Sequence, residues 1–129
     1  MAGKGRSIHV EGVQHGAPIP MGARVGNMIF SSGIIGADPS TGQVPEDLER
    51  QCVFAFANMK TMVENAGGTV RNIGSIKVYM KDRSQREAVN RPWLEMFPDE
   101  DDRPARRAIE YGAFPPGVLV QLEVIAVVD

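Results

Sequence analysis

From Val118 to Val128 the chain is apolar at nearly every position, and only Gln121 and Glu123 interrupt the run. A strand with one wet face alternates apolar and polar residues. A strand covered on both faces reads instead as a continuous apolar run. The sequence therefore predicts a terminal strand over 118–128 that is buried from both sides, and the rest of the fold has to supply two covers for it.

The remaining pattern supplies one. The segment from His15 to Gly22 carries Pro18 and Pro20 and reads as a loop, with residues 1–16 as an N-terminal arm and 17–129 as a single domain. Val25 to Ser32 is short and apolar, and Gly26-Asn27 bends it into two strands. Gly33, Gly36, Pro39 and Gly42 mark a long polar loop. Asp47 is placed to cap a helix in which Leu48, Cys52, Ala55, Met59, Met62, Val63 and Ala66 form one apolar face, with Phe54 and Phe56 flanking it. Gly67-Gly68 ends that helix. Ile76, Val78 and Met80 alternate with Ser75, Lys77 and Tyr79 as a strand. Ser84 and Glu87 have capping-box spacing ahead of a second helix from about Gln85, with Val89, Trp93, Leu94, Met96 and Phe97 on its apolar side. Pro92 lies inside this helix and Pro98 stops it. Ala105–Ala113 and Val118–Val128 read as two strands joined by the turn at Pro115-Pro116-Gly117. The order is strand, strand, helix, strand, helix, strand, strand. That is an α+β fold with two helices on one sheet face. The other face is apolar too, and the simplest cover for it is a second copy of the chain.

Composition narrows the function. Hydrophobic residues make up 43% and charged residues 23%, with a net charge of −2, as in an ordinary globular protein. A nucleic-acid partner calls for a basic balance, so one is not expected. One cysteine cannot form an internal disulfide, and one cysteine with two histidines cannot build a Cys/His zinc cluster. No metal site is expected. The lone cysteine fits a reducing compartment. No signal-peptide core follows Lys4 and Arg6, and no stretch approaches the ~20 apolar residues of a membrane span. A cytoplasmic location without membrane contact is the expectation.

Few residues offer chemistry. His9 and His15 fall in the arm and read as surface histidines, and Cys52 falls on the core stripe. The run Asp99, Glu100, Asp101, Asp102 lacks the spacing of a calcium loop and reads as a solvated loop or as partners for Arg103 and Arg107. Arg106 is different. It opens a strand among apolar neighbours, and a guanidinium there can grip a carboxylate through two parallel bonds or serve a structural ion pair. Residue chemistry alone leaves those two readings level.

The order of motifs resembles the RidA/YjgF family of reactive-intermediate deaminases over about residues 17–127. Val25-Gly26-Asn27-Met28-Ile29-Phe30 with Ser32-Gly33 is similar to the family's first hairpin. Asp38-Pro39 through Thr41-Gly42 is similar to its next loop. Gln51, Asn58 and Ala66-Gly67 follow its first helix, Lys77-Val78-Tyr79 with Asp82 its middle strand, and Val89-Asn90 its second helix. Pro104-Ala105-Arg106 and Leu122-Glu123-Val124-Ile125-Ala126-Val127 resemble its closing signature.

The resemblance implies a mixed sheet with two helices, of the YjgF-like and chorismate-mutase-like type. It also implies a homotrimer with an inner β-barrel and clefts between subunits. The implied reaction is hydrolysis of 2-imino acids or their enamine tautomers to 2-oxo acids and ammonia, with no cofactor. Arg106 is expected to hold the substrate carboxylate. Asn90, Ser32 and the backbone of Gly33 and Ile34 are expected to line the cleft. The family usually has tyrosine at Ile19, often glutamine at Ile34, and small residues at Arg107 and Ala108. It has an acid at Gln121, which is expected to position the attacking water here without accepting its proton. Ile19 and Ala108 are carried as substrate-binding positions, and Arg107 and Glu123 as further candidates. Arg24, Arg103 and Arg107 could meet a second carboxylate, as in aminomuconate-like intermediates of aromatic catabolism. The alternative is a carboxylate-binding regulatory trimer without catalysis. Some members were first described as translation inhibitors or ribonucleases, but this chain lacks the basic-aromatic surface for that.

Overall fold

The computed structural model describes residues 5–129. Seven strands form one mixed sheet: β1 (Ser7–Ile8), β2 (Gly22–Val25), β3 (Met28–Ser31), β4 (Ile34–Ile35), β5 (Ile73–Met80), β6 (Ala105–Glu110) and β7 (Val120–Val127). Their order is β1-β2-β3-β7-β5-β6, and β4 also pairs with β7. The helices are α1 (Leu48–Asn65) and α2 (Glu87–Met96). Their buried residues join one cluster with Ile29, Ile34, Ile76, Val78, Met80, Leu122 and Val124, so both helices cover the same sheet face.

Local chemistry accounts for the elements. Gly26 has φ 61° while Asn27 stays at negative φ, which is the arrangement of a two-residue hairpin turn with glycine first. The Asp47 carboxylate accepts from the Arg50 main-chain N–H at 3.0 Å and caps α1. At the other end Gly67 (φ 95°) donates to the Glu64 carbonyl and Gly68 to the Val63 carbonyl. Those paired bonds satisfy carbonyls that the helix itself leaves open. Arg24 completes the end by donating from Nη1 to the Ala66 carbonyl at 2.7 Å.

Within the protomer β7 is covered on one face, and the second cover expected for it lies outside the protomer. Val120, Leu122, Val124 and Ala126 face the helices, whereas Ile125 and Val127 on the opposite side are 39% and 45% exposed. The arm contributes structure as well: Ser7–Ile8 pairs with β2, and Val10 and Val13 are buried. Two expectations change. First, β6 and β7 are not a hairpin. β5 lies between them, parallel to β6 and antiparallel to β7, and β6 ends at Glu110. The route from β5 through α2 to β6 is thus a parallel crossover, which needs a helix-length connection. Second, Ser84 and Glu87 form no capping box. The Ser84 hydroxyl donates to Asp82 Oδ1 at 2.7 Å, a short 3-10 turn covers Arg83–Gln85, and α2 starts at Glu87 without a side-chain cap.

Two buried amides tie the loops to α1. Asn58 donates from Nδ2 to the carbonyls of Ile35 (3.2 Å) and Ala37 (2.9 Å). Gln51, fully buried, donates from Nε2 to the carbonyls of Pro45 and Gly117 and accepts from the Leu119 N–H, all at 2.8–2.9 Å. A leucine there would fit the apolar surroundings but leave three main-chain groups unpaired. Gln51→Leu is expected to lower stability by about 2–5 kcal/mol. Urea unfolding followed by circular dichroism measures this, and a loss within the range of surface substitutions would refute the role.

Candidate functional site

Arg106 lies on β6, the edge strand, in register with Ile76. Ile76 is buried under the helices, so Arg106 is on the helix side of the sheet. There it meets α2. Its Nη2 donates to Asn90 Oδ1 at 2.7 Å, and its Cζ stands 4.9 Å from the centroid of the Trp93 ring. The ring face attracts the cation and Asn90 supplies a neutral acceptor. Among the described residues no carboxylate lies within 4.0 Å of this guanidinium. Burial first, and the charge of Arg86 second, pull it below the ordinary arginine pKa. An arginine nonetheless stays charged. Ala108 follows two residues along β6 on the same side.

Gln121 is on the other side. It pairs with Tyr79, which pairs with Ile109, and this row lies on the face away from the helices. The interruption between β3 and β4 forms its wall. The Ser31 hydroxyl accepts from the Val124 N–H at 2.7 Å, taking the place of a ladder bond. The chain then steps away at Ser32-Gly33 before β4 rejoins β7 at Leu122. Gly33 packs directly on the Gln121 amide, since a Cβ added at 33 would stand 2.4 Å from its carbon. The Ser32 hydroxyl donates to the Pro20 carbonyl at 2.8 Å, and its N–H to that of Met21 at 2.8 Å. These bonds pin the loop that carries Ile19, which is 49% exposed. Glu123, two residues along from Gln121, accepts from the Tyr79 hydroxyl at 2.9 Å. That bond first, then burial and the carboxylate charge, raises the Tyr79 pKa.

One protomer therefore gathers Arg106, Asn90 and Ala108 on one side of the sheet, and Gln121, Gly33, Ser32 and Glu123 on the other. Arg107 alternates to the second side and is exposed. Ile34 is fully buried in the core, backbone included, so it does not line the surface of the protomer where the resemblance expects it. Other candidates resolve into structure. Arg24 caps α1, and Arg103 donates to the carbonyls of Phe97 and Pro98. Asp102 lies 3.7 Å from Arg71, and Arg103 and Arg107 are not its partners. Cys52 is fully buried, and burial foremost, with Glu49, pushes its thiol up to about 12, which leaves no thiolate for nucleophilic work. His9 is exposed. His15 Nε2 is buried with no hydrogen-bond partner among the described residues, beside a cavity of about 380 Å³ that Ile19 also lines. Sequence reasoning passed over Trp93, taken as a core residue, and Glu87, taken as a cap. The i, i+3 spacing of Glu87 and Asn90 was the available signal.

Comparison with known proteins places this arrangement. A sequence model of the Endoribonuclease L-PSP family matches residues 18–128. The 2-iminobutanoate/2-iminopropanoate deaminase of Escherichia coli K12 is 36% identical over 111 residues, covering 85% of this chain and 87% of that protein. The crystal structure of the Escherichia coli YjgF gene product superposes with a TM-score of 0.84 at 34% identity, over 94% of this chain and 97% of that one. Escherichia coli TdcF with bound serine superposes with a TM-score of 0.86 at 27% identity, over 95% and 98%. The match spans both halves of the site, from the Ile19 loop to the closing strand, and the chain belongs to the RidA/YjgF family.

Proposed function

We propose that this protein hydrolyses 2-imino acids, or the enamines in equilibrium with them, to 2-oxo acids and ammonia, in a cleft between copies of the chain. The observation that carries the reading is the state of Arg106: oriented by Asn90 and Trp93, partly desolvated, and without a carboxylate partner among the described residues. A cation held this way is ready for an anionic ligand. The similarity to an imine deaminase and to a protein holding serine, which bears a carboxylate, supports the same substrate class.

The chemistry asks little of the protein. The substrate is protonated at nitrogen, so its C=N carbon is already electrophilic. Arg106 grips the adjacent carboxylate and fixes that carbon. Gln121 orients a water from the opposite wall, next to the backbone of Gly33. The water oxygen bonds to carbon, the C=N π pair moves to nitrogen, and the added oxygen gives up a proton to solvent. Nitrogen then takes up one proton from solvent, the C–N bond breaks with its electron pair going to nitrogen, and ammonia leaves as the oxygen loses its second proton and the carbonyl forms. Most of the rate comes from positioning, because Gln121 accepts no proton.

Arg106 and Gln121 lie on opposite faces of one sheet, so a cleft using both takes Arg106 from one protomer and Gln121 from another. The face carrying Gln121 also carries Val25, Met28, Phe30, Ile125 and Val127, all exposed and adjacent through paired strands. An apolar patch of this kind suits burial against a second copy. The trimer with an inner barrel is the assembly we assign to it. A second reading keeps the trimer but drops hydrolysis, and it draws on the amide at 121 where the family has an acid. Arg24 and Arg103 are committed to carbonyls, which weakens the case for a dicarboxylate of the aminomuconate kind.

Three outcomes are expected. An imino acid generated in situ decays faster with protein present, and Arg106→Ala removes at least about 100-fold of that acceleration. No acceleration across several imino acids, together with tight 2-oxo acid binding, would favour the regulatory reading. Gln121→Glu raises turnover on simple imino acids, and an unchanged rate would remove the water-positioning role from 121. Size-exclusion chromatography with light scattering gives three times the 14.0 kDa chain mass, and a monomer would end the shared-cleft proposal.

A further inference from the structure

Asn90 makes two bonds, and they are not independent. Its Oδ1 accepts from Arg106, and its Nδ2 donates to Glu87 Oε1 at 2.7 Å, one turn back along α2. A carboxamide has one accepting end and one donating end. A guanidinium only donates, so Asn90 serves Arg106 in just one of its two orientations. An ionised carboxylate only accepts, so Glu87 selects that orientation. We propose that Glu87 is a positioning residue for Arg106, acting through Asn90. The functional part of this inference rests on reading Arg106 as the carboxylate anchor.

The arrangement also bears on charge. A carboxylate in direct contact with Arg106 would hold it and neutralise it together. With one neutral amide between them, the carboxylate fixes geometry while the guanidinium keeps its bonding edge for another anion. Trp93 stacks on the same guanidinium, which is thus held by a ring face and an oriented amide.

Trp93 is the only tryptophan in the chain, which provides a readout that needs no ligand. Glu87→Ala is expected to shift Trp93 emission in the same direction as Arg106→Ala. Glu87→Gln, whose amide oxygen still accepts from Asn90, is expected to keep the wild-type emission. In kinetics, Glu87→Ala raises KM for an imino acid and Kd for a 2-oxo acid about three- to tenfold, with little change in kcat. Glu87→Gln restores both. The sign separates this role from simple electrostatics, because deleting a negative charge near a cation would by field alone tighten anion binding. Binding by Glu87→Ala that is unchanged or tighter overturns the proposal. So does a lowered melting temperature with unaltered emission and KM, which is what a purely helix-stabilising acid in the first turn would give. Should the wild-type chain neither bind nor turn over these carboxylates, the functional reading falls, and the emission comparison still decides whether Glu87 positions the guanidinium.

Discussion

Strand β7 is hydrogen-bonded along both edges, by β3 and β4 on one side and by β5 on the other. Its side chains therefore divide strictly between two environments. Val120, Leu122, Val124 and Ala126 have to fit beneath the helices, while Gln121, Glu123, Ile125 and Val127 have to suit whatever meets the open face. A slip of β7 by one residue against both neighbours would exchange those sets and put an amide and a carboxylate into the core. The break between β3 and β4 is compatible with that register because the Ser31 hydroxyl satisfies Val124. Ser32 and Gly33 are thereby free to leave the ladder, and Gly33 lies against Gln121.

Local periodicity carried much of the fold. The apolar stripe of α1, its aspartate cap and its glycine end are set by residues within a few turns of one another. The alternation of β5 and the Gly26-Asn27 bend are equally local. What was not legible was strand adjacency. Nothing within the segment 105–128 indicates that β5 inserts between β6 and β7, because that depends on how α2 crosses the sheet. The continuous apolar run of β7 was also ambiguous. Such a run fits burial within one protomer or exposure on a face awaiting cover, and only the placement of both helices on one side separates the two.

The candidate site divides the same way. Arg106 and Asn90 were identified by motif, and the structure joins them by a direct bond. Gln121, Gly33 and Ser32 were identified with them but lie across the sheet. Along a single strand the sequence gives the parity of side chains, so Gln121 and Glu123 could be placed together. Between strands parity depends on register, and the pairing of Arg106 with Ile76 and of Gln121 with Tyr79 has no local signature. Glu87 was misassigned for a related reason. Its spacing from Ser84 satisfied a capping pattern, but Asp82 took the serine hydroxyl first, which left the glutamate free to hold Asn90.

The amide of Gln51 reaches residues whose sequence distance from it differs greatly. Pro45 is six positions away, whereas Gly117 and Leu119 are 66 and 68 away. The first bond can form as α1 forms, but the other two require the chain's last third to have returned across the domain. Closing so long a loop is entropically slow and comes late in folding. The Leu119 amide proton is thus shielded by an acceptor that exists only when both ends of the domain are in place. Its exchange with solvent deuterium should follow opening of the whole molecule, while amides in the α1 cap exchange through local fraying.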